Sequence, residues 1–511
     1  MLFSSYEFIL LFLPICLAGY FLLAKREYIR TSLTWLVLCS LFYYSWWNYI
    51  YLWLMISSIV FNYFWGMLLS RKQKNHLFLI IGIACNLFLL GYFKYSNFFI
   101  ENINALFGLG FNEKNIILPL AISFFTFQQI AYLVDAYRNE THEYDFLQYT
   151  LFVTFFPQLI AGPIVHHKEM LPQFTVDLAN RINAKNLLLG ISVFSMGLAK
   201  KILIADHIAK YANPVFSAAD MGIMISFIEA WQAALAYTFQ LYFDFSGYAD
   251  MAVGIALMFG IRLPMNFNSP YKPANIIEFW RRWHMTLSRF LRDYLYIPLG
   301  GNRHGSFSRH RNIFITMLLG GLWHGASWSF ILWGALHGIY LIINHGWHFI
   351  CKRNSWQELR NKYWYRFFAI ALTFLAVMLA WVFFRAETLS GAVNILSGMA
   401  GLQGIEFPIE YLKEWENLGP FMQDMGVVFT DVLFKNLDSA WKLTALLLVV
   451  FILPNSLEIM SKYHITTDYS RETTSRILFK PSLAWALFVY LLLSTCILKL
   501  GRASDFLYFQ F

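Results

Sequence analysis

Long apolar runs recur along almost the whole chain, separated by short polar connectors. They lie near 5–24, 31–47, 50–70, 77–97, 116–134, 147–165, 186–205, 226–259, 312–322 with 326–348, 366–385, 441–459 and 481–500. Most approach the roughly 20 residues that a helix needs to cross a bilayer, without the alternation of a membrane β-barrel. The pattern predicts one all-α domain over 1–511, a polytopic integral membrane helical bundle of about 11–13 helices plus re-entrant or interfacial helices.

The composition agrees with a lipid environment. Hydrophobic residues make up 58% of the 511 residues and charged residues only 14%, whereas a soluble domain has about 45–50% and 25%. An ordinary cytosolic enzyme is therefore excluded. The formal net charge of +9 indicates basic cytoplasmic loops, so we expect the lipid bilayer and no nucleic acid among the partners. The five cysteines form no CxxC pair, and no metal site is predicted.

Charged residues sort the connectors between the apolar runs. Lys25, Arg26 and Arg30 lie in one connector, which predicts a cytoplasmic loop. The segment 405–438 is the opposite case, because it carries seven acidic residues against two basic ones. We interpret 405–438 as an extracytoplasmic insert. It is either a docking surface for a partner protein or a solvated loop.

Two carboxylates, Asp244 and Asp250, interrupt the apolar segment 226–259. An ionisable group at membrane depth costs several kcal/mol unless it is paired or hydrated. The two residues therefore indicate either a polar cavity or a structural ion pair. Soon afterwards, 266–275 contains three asparagines and two prolines, which is typical of an ordinary loop or of irregular backbone that lines a polar site.

The segment 272–311 carries eight basic residues against two acidic ones. Within it, the spacing predicts a continuous amphipathic helix over 278–293, with Arg281, His284, Ser288 and Arg292 on one face. Such a helix could lie at the cytoplasmic interface with its arginines toward lipid headgroups. Alternatively, the arginines form an anion site for a phosphorylated donor, because the guanidinium fork matches phosphate oxygens.

One histidine, His324, lies in a strongly apolar stretch with Gly320, Gly321 and Gly325 around it. Glycines allow a ligand or another backbone to approach closely, and Trp323 and Trp328 could form the walls of a pocket. A lone buried histidine is often a structural group, but ionisable residues at membrane depth are functional by default. His324 is therefore a candidate for catalysis.

Seven segments together carry a resemblance to a known family. They are 119–128, 155–164, 197–201, 242–250, 266–274, 279–301 and 321–326. In order and spacing they resemble the membrane-bound O-acyltransferases, and within them the alginate O-acetyltransferase-like branch of polysaccharide and peptidoglycan O-acetyltransferases. The resemblance covers a core of about 119–338.

This resemblance implies a helical bundle with a central funnel or tunnel, with His324 as the catalytic base and His284 as the second catalytic position. It implies acetyl-CoA as co-substrate, no permanently bound cofactor, a polysaccharide acceptor and a periplasmic or extracellular esterase-like partner that relays the acetyl group. The place of such a protein is the bacterial plasma (inner) membrane. The residues that we assign to substrate binding are Asp244, Trp323, Trp328, Asn266, Arg281, Arg282 and Arg289.

Three alternative interpretations stay open at the level of sequence. The acceptor polymer could be an alginate-like exopolysaccharide, cellulose or peptidoglycan. A related enzyme of the same fold could act on teichoic acid, a lipid or a protein. A transporter is the third reading, with Asp244, Asp250 and the 266–275 break along its path. No inverted repeat supports transport, and the basic stretch with an embedded histidine fits acyl transfer better.

Overall fold

The computed structural model describes residues 1–26, 28–71, 75–141, 145–175, 183–415, 418–430, 432–433, 438–467, 477–502 and 507. In this part of the chain the fold is helical, as predicted, apart from one pair of short parallel strands, β1 (Glu406–Pro408) and β2 (Val428–Thr430). Both strands belong to the acidic insert, of which 416–417, 431 and 434–437 lie outside the described residues.

The first half of the chain forms twelve α-helices. They are α1 (Leu13–Lys25), α2 (Ile29–Ser45), α3 (Ile50–Arg71), α4 (His76–Leu90), α5 (Ser96–Phe107), α6 (Ile122–Tyr137), α7 (Phe146–Thr154), α8 (Phe156–Leu159), α9 (His167–Thr175), α10 (Ala184–Ala199), α11 (Asp206–Asp220) and α12 (Phe227–Met258). Three π-helical segments extend or join them, at Glu7–Phe12, Gly91–Tyr95 and Lys200–Ala205.

The second half adds twelve more. They are α13 (Ile276–Trp280), α14 (Met285–Leu291), α15 (Gly305–His324), α16 (Trp328–Arg353), α17 (Gln357–Asn361), α18 (Tyr363–Arg385), α19 (Leu389–Met399), α20 (Glu410–Glu414), α21 (Leu418–Asp424), α22 (Asp438–Ile452), α23 (Ser456–Ile459) and α24 (Leu483–Lys499). A fourth π-helical segment, Arg292–Tyr296, follows α14, and short 3₁₀ turns lie at Ser461–Tyr463 and Leu500–Arg502.

Five of the described helices are long and apolar enough, by length and composition alone, to cross a membrane. They are Glu7–Lys25, Ile50–Arg71, His76–Phe107, Ala184–Asp220 and Tyr363–Arg385. The other described helices are either shorter than such a span or contain more polar residues, such as Asp244 and Asp250 in α12. The chain is thus a multi-pass helical membrane protein.

Helix α12 forms the centre of the bundle and is buried on nearly all sides. It crosses α10 where glycines from both helices meet. A Cβ atom added to Gly197 would come within 2.6 Å of the Gly247 carbonyl oxygen, and one added to Gly254 within 2.7 Å of the Gly190 carbonyl oxygen. The absence of side chains at these positions lets the two backbones touch, as in other tightly packed membrane helices.

The acidic insert contacts the first turn of α12, and the segment around Arg262 follows its last turn. At its first turn, the N–H of Phe227 donates to the carbonyl of Gly404 at 3.0 Å, and Glu229 accepts from the N–H of Leu433. Beyond its last turn, Gln173 contacts the backbone of Arg262. The 32 residues of α12 span about 48 Å, enough to cross a bilayer. The insert therefore lies at the end of α12 away from Arg262, and its extracytoplasmic position stays a prediction.

Two predicted helices are interrupted. The run 147–165 ends its first helix at Thr154, and a single turn, α8, leads into irregular backbone at Ala161. The prediction of one amphipathic helix over 278–293 is also wrong. The backbone leaves the helix after Trp280, and His284 adopts a left-handed conformation before α14 begins. The cause is competition from the 266–268 loop, which takes up backbone groups that a helix would use.

Candidate active site

Helices α15 and α16 form a tight hairpin whose turn holds His324. His324 is the last residue of α15, and Gly325 to Ser327 connect it to α16. A Cβ atom at Gly321 would lie 2.2 Å from the carbonyl oxygen of Phe330, and one at Gly334 would lie 2.4 Å from that of Met317. These glycines let the two helices touch, so the position of His324 is fixed by the hairpin.

Aromatic rings surround the imidazole of His324. Ring centroids lie 4.9 Å away for Trp323, 5.0 Å for Trp333 and 5.1 Å for Phe384. Trp333 also contacts the ring of His337 at 4.8 Å, one turn further along α16. His324 is only 5% exposed, so these rings keep bulk water from its nitrogens. Such exclusion protects an activated acyl group from hydrolysis.

A lysine and a tyrosine hold the C-terminal end of α15. The Lys94 ammonium donates to the carbonyls of Trp323 at 2.6 Å and His324 at 3.0 Å, and the Tyr95 hydroxyl donates to that of Leu322 at 2.8 Å. Carbonyls at a helix end need such donors, and a cation is favourable there. Sequence reasoning missed these residues. The available signal was a lysine within the apolar run 77–97.

His284 lies beside this site on a different chain segment. Its ring centroid is 6.5 Å from that of Trp323 and 4.8 Å from that of Phe245 on α12. His284 is fully buried, and its Nδ1 lies 3.0 Å from Oδ1 of Asn266. The ring of Trp323 lies next to both histidines, 4.9 Å from His324 and 6.5 Å from His284, so the structure brings together the two histidines that the sequence singled out.

The basic stretch lines a cavity of about 600 Å³. Arg281, Arg289 and Arg292 contribute to its wall together with apolar side chains, while Arg282 is not among the lining residues. Arg289 also forms a two-bond ion pair with Glu169, with N···O distances of 2.5 and 2.9 Å. Arg292 is also paired, with Asp293 at 2.7 Å. Since a paired arginine is partly neutralised, the exposed Arg281 is the strongest candidate for a phosphate ligand in this wall.

The same cavity reaches the residues next to His284, because Met285 and Thr286 also line it. On α15, the lining residue nearest to His324 in sequence is Met317, two helical turns before it, a separation of about 10 Å. On the far side of His324, a cavity of about 40 Å³ is lined by His324, Trp323 and Lys94, and one of about 350 Å³ by Lys94 and the 325–327 turn. Cavities thus lie on both sides of the pair His284 and His324. A continuous tunnel that joins them stays a prediction.

Two predicted substrate ligands lie elsewhere. Asp244 forms a buried ion pair with Lys201 at 2.7 Å and accepts from the backbone of Leu507 at 3.0 Å. Lys201 also contacts Asp206 at 2.9 Å, which favours the structural ion pair considered above. Trp328 is 53% exposed, and its indole N–H donates to Asn102. For both residues a role in substrate binding stays a prediction.

Asp250 forms a second ion pair on α12. It contacts Lys200 at 2.7 Å and also accepts a hydrogen bond from Ser456. No group of three His, Cys, Asp or Glu side chains able to hold a metal ion is found among the described residues. The chemistry that remains in the site is that of two buried histidines, indole and amide groups, and a lysine.

Fold and site together define a class: a multi-pass helical membrane protein with a buried histidine pair between a basic cavity and the opposite face. Comparison with known proteins defines the family. The profile of MBOAT, the membrane-bound O-acyltransferase family, matches residues 8–386, and the chain belongs to this family. The protein is accordingly an acyltransferase, as the sequence predicted.

Three relatives indicate the range of activities. The chain is 47% identical to the peptidoglycan O-acetyltransferase of Helicobacter pylori, over 79% of this chain and 81% of that protein. It is 42% identical to the probable alginate O-acetylase AlgI of Pseudomonas aeruginosa, over 78% and 75% of the two chains. Identity falls to 28% with the teichoic acid D-alanyltransferase of Streptococcus thermophilus, over 54% and 69%.

Proposed function

We propose that this protein is an O-acetyltransferase of the bacterial plasma membrane that supplies acetyl groups for peptidoglycan. The acetyl donor is cytoplasmic acetyl-CoA. The observation that carries the proposal is the pair His284 and His324, buried together between a basic cavity and the opposite face. The relative at 47% identity, named for peptidoglycan, supports this acceptor.

The basic cavity suits the donor. Coenzyme A is anionic, and Arg281 places positive charge in the cavity wall. The volume of about 600 Å³ falls in the range of small-molecule sites. Apolar lining residues such as Ile313 and Met317 extend from the arginines toward His324. In this proposal, the acetyl thioester of the donor lies along these apolar side chains and points toward His324.

His324 acts as the general base in this proposal. Histidine is the residue whose ordinary titration range allows proton transfer near neutral pH. His324 takes the proton of the acceptor hydroxyl, the hydroxyl oxygen attacks the acetyl carbonyl, and the coenzyme A thiolate leaves. The acceptor hydroxyl belongs either to the polymer or to a relay protein on the outer side. A transient acetyl-histidine, followed by transfer, is the alternative order of the same steps.

The first experiment measures ester-linked acetate released by mild base from purified peptidoglycan. Strains are a deletion mutant and the same mutant carrying wild type, His324→Gln or His348→Ala at equal membrane abundance. His348 serves as the matched control because it lies at the far end of α16, beside Arg360. We expect acetate to be restored by wild type and the control and to be absent with His324→Gln. Full acetylation with His324→Gln would refute the assigned base.

A second candidate acceptor is an alginate-like exopolysaccharide. The 42% identity to the probable alginate O-acetylase over 78% of this chain favours it. The same strains decide between the two, since acetate is measured separately in exopolysaccharide. Loss of acetate from exopolysaccharide with unchanged peptidoglycan would replace the first acceptor by the second. Unchanged acetate in both polymers would contradict the proposed function.

The relay partner is a separate part of the proposal. Cross-linking and co-purification from membranes of the complemented strain would identify a periplasmic or extracellular esterase-like protein bound to this chain. The acidic insert at 405–438 is the candidate contact. Replacing its glutamates, such as Glu410 and Glu414, by glutamine should weaken co-purification while leaving membrane abundance unchanged. Unaltered co-purification would move the contact to another surface.

A further inference from the structure

Asn266 holds the segment of His284 through both its backbone and its side chain. Its backbone carbonyl accepts from the N–H of Met285 at 3.0 Å. Its side-chain Oδ1 accepts from the N–H of Thr286 at 3.4 Å and from the Thr286 hydroxyl at 2.9 Å. Nδ1 of His284 lies 3.0 Å from the same oxygen. Asn266, His284 and Thr286 are all buried.

These contacts determine which atom of the Asn266 amide faces the histidine. A backbone N–H can only donate, so the atom opposite the N–H of Thr286 is the amide oxygen. The N–H of Ile164 donates to the Thr286 hydroxyl at 3.0 Å, which leaves that hydroxyl to donate its own hydrogen to Asn266. The contacts among Ile164, Thr286 and Asn266 thus all require the same orientation of the Asn266 side-chain amide.

The orientation determines the tautomer of His284. An amide oxygen carries no hydrogen, so Nδ1 of His284 must be the donor of the 3.0 Å contact. A neutral imidazole has one N–H, and the lone pair is therefore on Nε2. Nε2 is the nitrogen on the ring edge away from Asn266. His284 thus has an acceptor nitrogen for a neighbouring group.

The backbone conformation of His284 is also typical of a residue in a functional site. Its φ of 41° and ψ of 54° are in the left-handed region, which is uncommon for a residue with a side chain. Such conformations persist where surrounding contacts enforce them, and they cluster at functional sites. Met285 and Thr286, the two residues that follow His284, donate hydrogen bonds to Asn266 and enforce this conformation.

We propose that Asn266 and Thr286 are positioning residues that keep His284 in the Nδ1–H tautomer. Nε2 then accepts a hydrogen bond from the imidazolium of His324 that forms when His324 takes the acceptor proton. This inference rests on the proposed function, and it assigns His284 the role of orienting and stabilising His324. The proton stays on His324 until the leaving thiolate takes it.

The test compares variants that keep or remove the oxygen. Asn266→Asp retains an acceptor for Nδ1–H, whereas Asn266→Leu has similar volume and none. Membranes containing each variant are given labelled acetyl-CoA and peptidoglycan oligosaccharide, and kcat, KM and the pH profile are measured. We expect Asn266→Leu to lose kcat by at least about 10-fold, with KM for acetyl-CoA within about twofold of wild type.

Asn266→Asp should retain most of kcat and change the pH profile. A carboxylate beside Nδ1–H favours the protonated ring, and protonated His284 has no lone pair to offer. The acidic limb of the profile should therefore move to higher pH. Thr286→Ser and Thr286→Val provide a second pair, of which only Val should lower kcat. Equal kcat and pH profiles for Asn266→Asp and Asn266→Leu would overturn the inference.

Two controls separate the possible failures. Asn275→Ala removes the N-cap of α13 in the same loop and should lower abundance without moving the pH profile. His324→Gln in the same membranes tests the proposed function itself. If His324→Gln is active, the proposed function fails. If His324→Gln is inactive while Asn266→Leu and Thr286→Val match wild type, only the positioning role fails.

Discussion

The clamp on the end of α15 provides the sharpest test of how the site is built. Replacing Lys94 by methionine keeps an unbranched side chain of similar length and removes every N–H. Two hydrogen bonds to the carbonyls of Trp323 and His324, at 2.6 and 3.0 Å, are then lost. Both acceptors are backbone groups at the end of a buried helix, where water is a poor substitute.

The size of the effect follows from these two contacts. Leaving a buried acceptor without its donor costs about 1–3 kcal/mol for each group, so the variant loses roughly 2–6 kcal/mol of local stability. At about 1.4 kcal/mol for each factor of ten, about 2.8 kcal/mol of this loss already lowers the ratio of correctly placed to displaced His324 on the order of 100-fold. Because the α15–α16 hairpin is also held by its glycine contacts, the protein should still insert and accumulate.

The assay is polymer-bound acetate in the deletion strain that carries Lys94→Met, Lys94→Arg or Lys114→Met. Lys114 is the matched control, an exposed lysine over the ring of Tyr92. We expect acetate on the order of 1% of wild type for Lys94→Met, an intermediate amount for Lys94→Arg and a normal amount for the control. Half or more of the wild-type acetate with Lys94→Met at equal abundance would refute the reasoning.

Three further predictions concern packing, donor binding and the ion pair on α12. Gly197→Ala should reduce membrane abundance strongly, because the new Cβ would meet the backbone of α12 within 2.6 Å, whereas Gly346→Ala, which meets no atom, should be neutral; equal abundance would contradict the crossing. Arg281→Ala should raise KM for acetyl-CoA several-fold at unchanged kcat, with a weaker salt dependence than wild type; an unchanged KM would exclude Arg281 as a donor contact. Asp244→Asn leaves Lys201 with one carboxylate fewer and should destabilise the fold by about 3–5 kcal/mol, seen as lower thermal stability in detergent at near-normal specific activity, and a selective loss of activity would instead support substrate binding.

The sequence alone determined the environment, the class and the catalytic candidate. Apolar run lengths and a charged fraction of 14% require lipid as the solvent, and this conclusion does not depend on how the helices pack. His324 stood out because polar residues are costly in such surroundings, and His284 stood out through the resemblance to the family. The spacing of the seven segments indicated the family, which the match over residues 8–386 then confirmed.

The tertiary structure decided which polar residues share a site. Lys94 and its acceptor Trp323 are 229 positions apart, and no local pattern links them. Asp244 and Phe245 are neighbours in sequence, yet one pairs with Lys201 and the other contacts His284, since successive side chains on a helix point about 100° apart.

The interruption of the predicted helix at His284 shows that tertiary contacts also decide local secondary structure. Periodicity over 278–293 favoured a continuous helix, and the contacts of the 266–268 loop overruled it. Local sequence determines which backbone conformations are low in free energy, and their free energies differ by about 1 kcal/mol per residue. Several buried hydrogen bonds from a distant loop outweigh such a difference. The position of His284, a residue proposed to take part in catalysis, therefore depends on partners that only the folded chain brings together.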